Sequence, residues 1–195
     1  MTCLALLMAV VIFGGCGNDD DDKGGSGVFD RKITAQVENG SNYNSLIKSV
    51  KAISRYGDDG ENEYVHVQGS YSNGSFTLTL PQTVNNLYLW NIEKEFQSAE
   101  INNKSANIMI LRQFFCYNSN DEFVGWIYQQ KEATSSHIRL IYIYVDRDVT
   151  VSGSIYNMTL KKGWNKVYDT YSSGTNTGCT TEEVSGLKWY FEQVG

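Results

Sequence analysis

Few residues in this 195-residue chain are of a type and spacing that could do chemistry. It has two histidines, His66 and His137, and four cysteines, Cys3, Cys16, Cys116 and Cys179. Zinc sites draw closely spaced His and Cys ligands, and neither a His-x-x-x-His nor a Cys-x-x-Cys pair occurs, so no metal and no cofactor is expected. A Gly-x-Ser-x-Gly elbow, a P-loop and a Gly-x-Gly-x-x-Gly turn are all missing, so no catalytic residue is assigned. Glycosidases need two carboxylates astride the sugar. The candidates are Asp58, Asp59, Glu61 and Glu63, then Asp146 and Asp148, then Glu182 and Glu183. All fall in loops or at strand ends, where solvated charge is ordinary. The loop at Asp59-Gly60 does not fit an EF-hand, because Arg55 and His66 stand where the first and last ligating carboxylates belong. Aromatic rings are the other resource, with 4 Trp and 13 Tyr. Flat rings stack on sugars, but they also fill β cores. Trp126 and Tyr128 share one strand face, and Trp164 lies in the turn-like Lys162-Gly163-Trp164-Asn165. These three are the candidate binding residues.

The elements that must carry these side chains read as strands. Ile33, Ala35 and Val37 alternate with Thr34 and Gln36, the period of a half-buried strand, and Asn39-Gly40 turns the chain. Between Tyr43 and Ile53 a strand is preferred, with a helical turn at Tyr43–Ile47 as the alternative. Glu63 to Ser70 is a strand, Asn73-Gly74 a tight turn, and Phe76, Leu78 and Leu80 alternate until Pro81 ends the ladder. Leu87 to Ile92 is a further apolar segment, and Glu93 to Lys104 is polar with room for a helical turn. Ala106–Tyr117 and Glu122–Gln130 suggest a hairpin. His137 to Val145 is apolar on both faces, which suits a central strand. Val149–Ser154, Asn157–Lys161, Lys166–Thr170 and Leu187–Glu192 complete the pattern. With no βαβ rhythm, the expected fold is all-β: an antiparallel β-sandwich of immunoglobulin or prealbumin type, or a partly open barrel, of about ten strands.

Residues 1–15 hold no charged side chain, and Leu4 to Phe13 is nearly all apolar. That is the length of a secretory h-region and too short for a bilayer of about 30 Å. It ends Phe13-Gly14-Gly15-Cys16, and then come Asp19-Asp20-Asp21-Asp22 and Lys23-Gly24-Gly25-Ser26-Gly27. Four adjacent carboxylates stay in water, and the Gly/Ser run has the composition of a linker. The expected organisation is a signal over 1–15, a lipidated acidic tether over 16–31 and a single β domain over 32–195. The formal charge of −6 argues against nucleic acid as a partner. Outside the cell, Cys116 and Cys179 could pair as a disulfide. The alternative is a buried inert Cys116 and an exposed, unrelated Cys179.

Two small residues before Cys16 resemble the lipobox of bacterial lipoproteins, in which the cysteine is acylated. The Asp19–Asp22 run resembles the export signal of surface lipoproteins of Bacteroides-type bacteria. From Ile33 onward the segments Ala35-Gln36-Val37-Glu38-Asn39-Gly40, Gly74 to Pro81, Tyr144-Val145-Asp146, Leu160 to Tyr168 and Leu187-Lys188-Trp189-Tyr190 are similar to an uncharacterised family of such proteins. The resemblance implies a lipid anchor in the outer membrane, exposure on the cell surface and a β fold, and it carries no assigned activity over. The expected function is a non-catalytic binding module for a glycan or a host-surface partner. A structural part of the envelope or of a pilus-like assembly is the first alternative, and a hydrolase with a cryptic site the second.

Overall fold

The computed structural model describes residues 29–56, 62–132 and 136–194. The fold is all-β, with fifteen strands among the described residues joined in one sheet. In chain order these are β1 (Lys32–Gln36), β2 (Ser49–Tyr56), β3 (Asn62–Ser72), β4 (Ser75–Thr79), β5 (Trp90–Asn91), β6 (Glu100–Ile101), β7 (Asn107–Leu111) and β8 (Phe114–Tyr117). They continue as β9 (Phe123–Glu132), β10 (Ser136–Val145), β11 (Val149–Ser152), β12 (Tyr156–Leu160), β13 (Gly163–Ser172), β14 (Thr175–Thr180) and β15 (Lys188–Gln193). A single helical turn, α1 (Ile92–Glu95), follows β5.

Alternation drives the first part of the sheet. Ile33 and Ala35 of β1 and Phe76 and Leu78 of β4 are buried, and the residues between them face out. The β3–β4 hairpin needs two left-handed residues, and Asn73 (φ 51°) and Gly74 (φ 75°) supply them. That turn packs on a 3-10 turn at Gly40–Tyr43, where Tyr71 Oη donates to the Gly40 carbonyl at 2.9 Å. The segment between Tyr43 and Ile53 thus divides: the helical turn comes earlier than expected, and the strand begins at Ser49.

The path runs β1-β4-β3-β2-β8-β9-β10-β13-β14-β12-β11-β6, with β15 beside β9. Pairing is antiparallel except between β12 and β14. Val37, just after β1, meets Trp189 of β15 in one parallel bridge, and Glu38 N–H donates to the Trp189 carbonyl at 2.8 Å. The main core lies inside this curl, with Phe76, Leu78, Phe114, Ile127 and Trp189 among its buried members. At β9, Gly125 (φ 151°) leaves room for β15, because a Cβ there would run into the Glu192 carbonyl.

Strand β10 is central, bonded to β9 and β7 along one edge and β13 along the other. Leu140, Tyr142 and Tyr144 enter the main core, and Ile141, Ile143 and Val145 enter a second core on the opposite face. Ile92 and Phe96 from α1 and its end, with Val151, Met158 and Leu160, cover that second core.

Several expectations are corrected. Leu87–Ile92 divides into a 3-10 turn, the two-residue β5 and the start of α1. Strand β14 lies where only a loop was expected, and the two-residue β5 and β6 are too short to show any period. Residues 29–31, expected in the tether, pack on the β domain. Phe29 packs against Tyr142 at 5.3 Å, and Arg31 exchanges hydrogen bonds with Leu80.

Candidate functional site

One face of the sheet is built from strands that alternate large aromatics outward with core residues inward. Register places Lys51 of β2, Phe115 of β8, Trp126 of β9 and Glu192 of β15 in one cross-strand row. The neighbouring positions add Tyr117 with Phe123 on one side and Tyr128 with Tyr190 on the other. Side chains in register share a face, so these rings form one stripe across three strands. Phe123 and Trp126 meet edge-on at 5.2 Å, and Tyr128 and Tyr190 are tilted at 6.2 Å. Cations border the stripe: Lys51 Nζ lies 3.9 Å from the Tyr117 ring centroid and 2.5 Å from Asp121, and Arg139 stacks over Tyr128 at 5.0 Å. Phe123, Trp126, Tyr128 and Tyr190 are all half-buried.

The same face continues from Arg139 of β10 to Asp169 of β13 and Cys179 of β14, which are again in register. Here it opens into a cleft of about 170 Å³ where Ile110 is partly exposed and Ile141, Ile143 and Val167 lie buried beneath. Arg112, in the bend between β7 and β8, bridges two carboxylates: Nη2 reaches Glu95 at 2.6 Å and Nη1 lies 3.9 Å from Asp169. Asp169 is 3 % exposed. It accepts from Cys179 Sγ at 3.0 Å, and Tyr171 Oη donates to its other oxygen at 3.5 Å. Burial pushes the Asp169 carboxyl above the usual carboxylate range, with the thiol and Arg112 opposing it. Burial, then the charge of Asp169, pushes the Cys179 thiol up to about 12, so it stays protonated and is no nucleophile. For Arg112, desolvation works against the charge, and Glu95 and Asp169 more than offset it, so its pKa rises.

The candidate residues read from the sequence divide. Trp126 and Tyr128 lie on the aromatic face. Trp164 does not: it sits in β13, is 3 % exposed, and points into the main core. Its indole N–H donates to the Pro81 carbonyl at 2.8 Å, and its ring meets Tyr144 edge-on at 5.5 Å. The strand begins at Gly163, three residues earlier than its composition suggested, and inward alternation buries the ring. Cys116 and Cys179 are both free and both buried, and they belong to the two different cores. They form no disulfide here, and Cys179 is not the exposed thiol of the alternative reading. Cys16 and Asp19, Asp20, Asp21 and Asp22 lie outside the described residues, as do Asp58, Asp59 and Glu61.

The remaining loop carboxylates hold local structure. Asp148 accepts from the Lys162 N–H at 2.8 Å and from Lys161 Nζ at 3.1 Å. Asp146 accepts from the backbone and side chain of Asn107 and from Arg147. Glu182 accepts from Asn157. His137 stacks on Tyr171 at 5.1 Å. His66 bonds to the Ser54 hydroxyl beside Tyr64 and Tyr88, and burial lowers its pKa to about 4, which leaves it neutral at physiological pH. Ser54 is itself buried against Met109, with no approach for a substrate. Among the described residues no three His, Cys, Asp or Glu side chains gather as a metal site.

Sequence reading missed Glu95, Arg112, Asp169 and Tyr190. A signal existed for Asp169, which stands two residues from Val167 and so shares its strand face. Comparison with protein-family models, curated proteins and solved structures gave no match to this chain.

Proposed function

We propose that this chain is a lipid-anchored protein of the outer cell surface that binds glycans without catalysis. The observation that carries the binding reading is the outward row of Phe123, Trp126, Tyr128 and Tyr190 across β9 and β15. Partly exposed aromatic side chains held on a sheet offer stacking area at little entropic cost. The Cys16 lipobox and the Asp19–Asp22 run support the anchor and the display. Stable anchoring takes more than one acyl chain, which the lipoprotein type of modification provides. The finer fold reading is a partly open barrel rather than a sandwich, because β1 and β15 touch by the single Val37–Trp189 bridge.

The experiment is a titration of the purified chain against a panel of plant and host glycans, first by array and then by calorimetry. Binding that falls about tenfold or more in Trp126→Ala, with the fold intact, supports the reading. An empty panel overturns it. An envelope-assembly role is the second reading, favoured by β3: it pairs β2 along its length but β4 only at Tyr71 and Ser72. An open strand edge is a site for another chain to add a strand.

A further inference from the structure

The Arg112 cleft and the aromatic stripe share one face, with Arg139 between them: it stacks on Tyr128 and is in register with Asp169. Neighbouring strands are about 4.8 Å apart, so a chain lying on Tyr128 reaches the cleft within one or two sugar units. The cleft has an aliphatic floor and a polar wall of Glu95, Arg112, Asp169, Tyr171 and Asn176. At protein packing density its volume takes roughly a dozen non-hydrogen atoms. That is one sugar ring and not two. Asp169 is 4 % exposed at its side chain, whereas Arg112 and Glu95 are 46 % and 26 % exposed, so the wall is rigid at depth and reachable at the mouth.

The charge of this wall selects among sugars. Arg112 is already shared between two carboxylates, so the wall sums to one negative charge. An incoming carboxylate or sulfate would face Glu95 and Asp169 and would have to take Arg112 from both. A neutral ring needs no such exchange. Its hydroxyls can donate to Glu95 and Asp169 and accept from the free guanidinium N–H groups, while its C–H face lies against the partly exposed Ile110.

We infer that the Arg112 cleft is an end-binding subsite that takes one neutral terminal sugar of a glycan lying on the aromatic stripe and rejects acidic termini. This rests on the glycan reading above and adds its specificity. The alternative occupant, a small alkylammonium ion, would displace Arg112 from Glu95 instead.

The test uses the intact mature chain in detergent. Matched oligosaccharides ending in a hexose or in the corresponding hexuronic acid are titrated by calorimetry. Methyl hexoside and butylammonium are titrated separately while the methyl signals of Ile110, Ile141 and Ile143 are followed by NMR. The expected result is tenfold or greater preference for the neutral terminus. Methyl hexoside should shift the isoleucine signals in the parent and equally in Trp126→Ala. Asp169→Asn should abolish the preference while stripe binding persists, and Arg112→Gln, which leaves the wall with two negative charges, should keep it or raise it. Glu95→Gln serves if Asp169→Asn fails to fold. Equal affinity for both termini with Trp126→Ala still damaging would overturn the subsite and leave the glycan reading standing. Isoleucine shifts with butylammonium and none with the hexoside would overturn it in favour of an amine site. No oligosaccharide binding and no hexoside shift would overturn both.

Discussion

Replacing Trp164 by Ala tests whether this ring is core or platform. The indole is 3 % exposed, donates to the Pro81 carbonyl at 2.8 Å and abuts Tyr144. Removing a buried Trp side chain costs about 3–5 kcal/mol in transfer and cavity terms. The lost hydrogen bond adds about 1 kcal/mol, because the partly buried Pro81 carbonyl loses its donor. Against a stability of about 5–15 kcal/mol, a third or more of the folding free energy would go. At about 2–4 °C per kcal/mol for a domain of this size, the midpoint should fall by about 8–24 °C. Trp164→Phe keeps most of the burial and should lose only about 1–2 kcal/mol. Trp126→Ala, on the outward face, should change stability by about 1 kcal/mol or less. Urea unfolding followed by tryptophan fluorescence, with a thermal scan by circular dichroism, measures all three. A Trp164→Ala protein as stable as the parent, with glycan binding lost, would refute the reasoning and return Trp164 to the surface.

Three further outcomes are expected. His66 is neutral in the fold down to pH about 4 but titrates near 6.5 when unfolded, so stability should fall as pH drops from 6.5 towards 4. His66→Phe should flatten that part of a pH series of urea midpoints, and an unchanged slope would contradict it. Asp169 has a raised carboxyl pKa, so the unfolded chain ionises first and stability is lost as pH rises from about 3.8 through the folded value. Asp169→Asn should therefore gain stability over the parent at pH 7 and none at pH 3; equal midpoints at both would contradict the burial argument. Cys16→Ala should leave the chain unlipidated and released from membranes, which metabolic labelling with an alkyne fatty acid and fractionation would read out. Normal retention would remove the lipobox.

Where a strand pattern was long and regular, the sequence was legible. Phe76, Leu78 and Leu80 alternate cleanly, and His137 to Val145 is apolar on both faces because β10 separates two cores. Trp164 was misread because Gly163 and Asn165 have turn composition, and only the β10 register shows that position 164 points inward. The short strands β5 and β6 have no period to read. The Arg112 cleft was invisible for a different reason. Glu95, Arg112, Asp169 and Cys179 come from a helical turn, a bend and two strands, and nothing local marks them as neighbours. Only the sheet order brings them together. Trp126 and Tyr128 were legible because they stand two apart on one strand, whereas Tyr190 needed the β9–β15 pairing.

The central claim is that an aromatic face displayed outside the cell holds a glycan. Its most direct measurement is flow cytometry of intact cells carrying this chain, stained with a fluorescent neutral oligosaccharide from the panel. Staining should be present for the parent, lost after proteinase shaving of the cells, and at least tenfold lower for a Trp126→Ala, Tyr190→Ala double variant displayed at the same level. Equal staining of parent and double variant, or staining that survives shaving, would contradict the account.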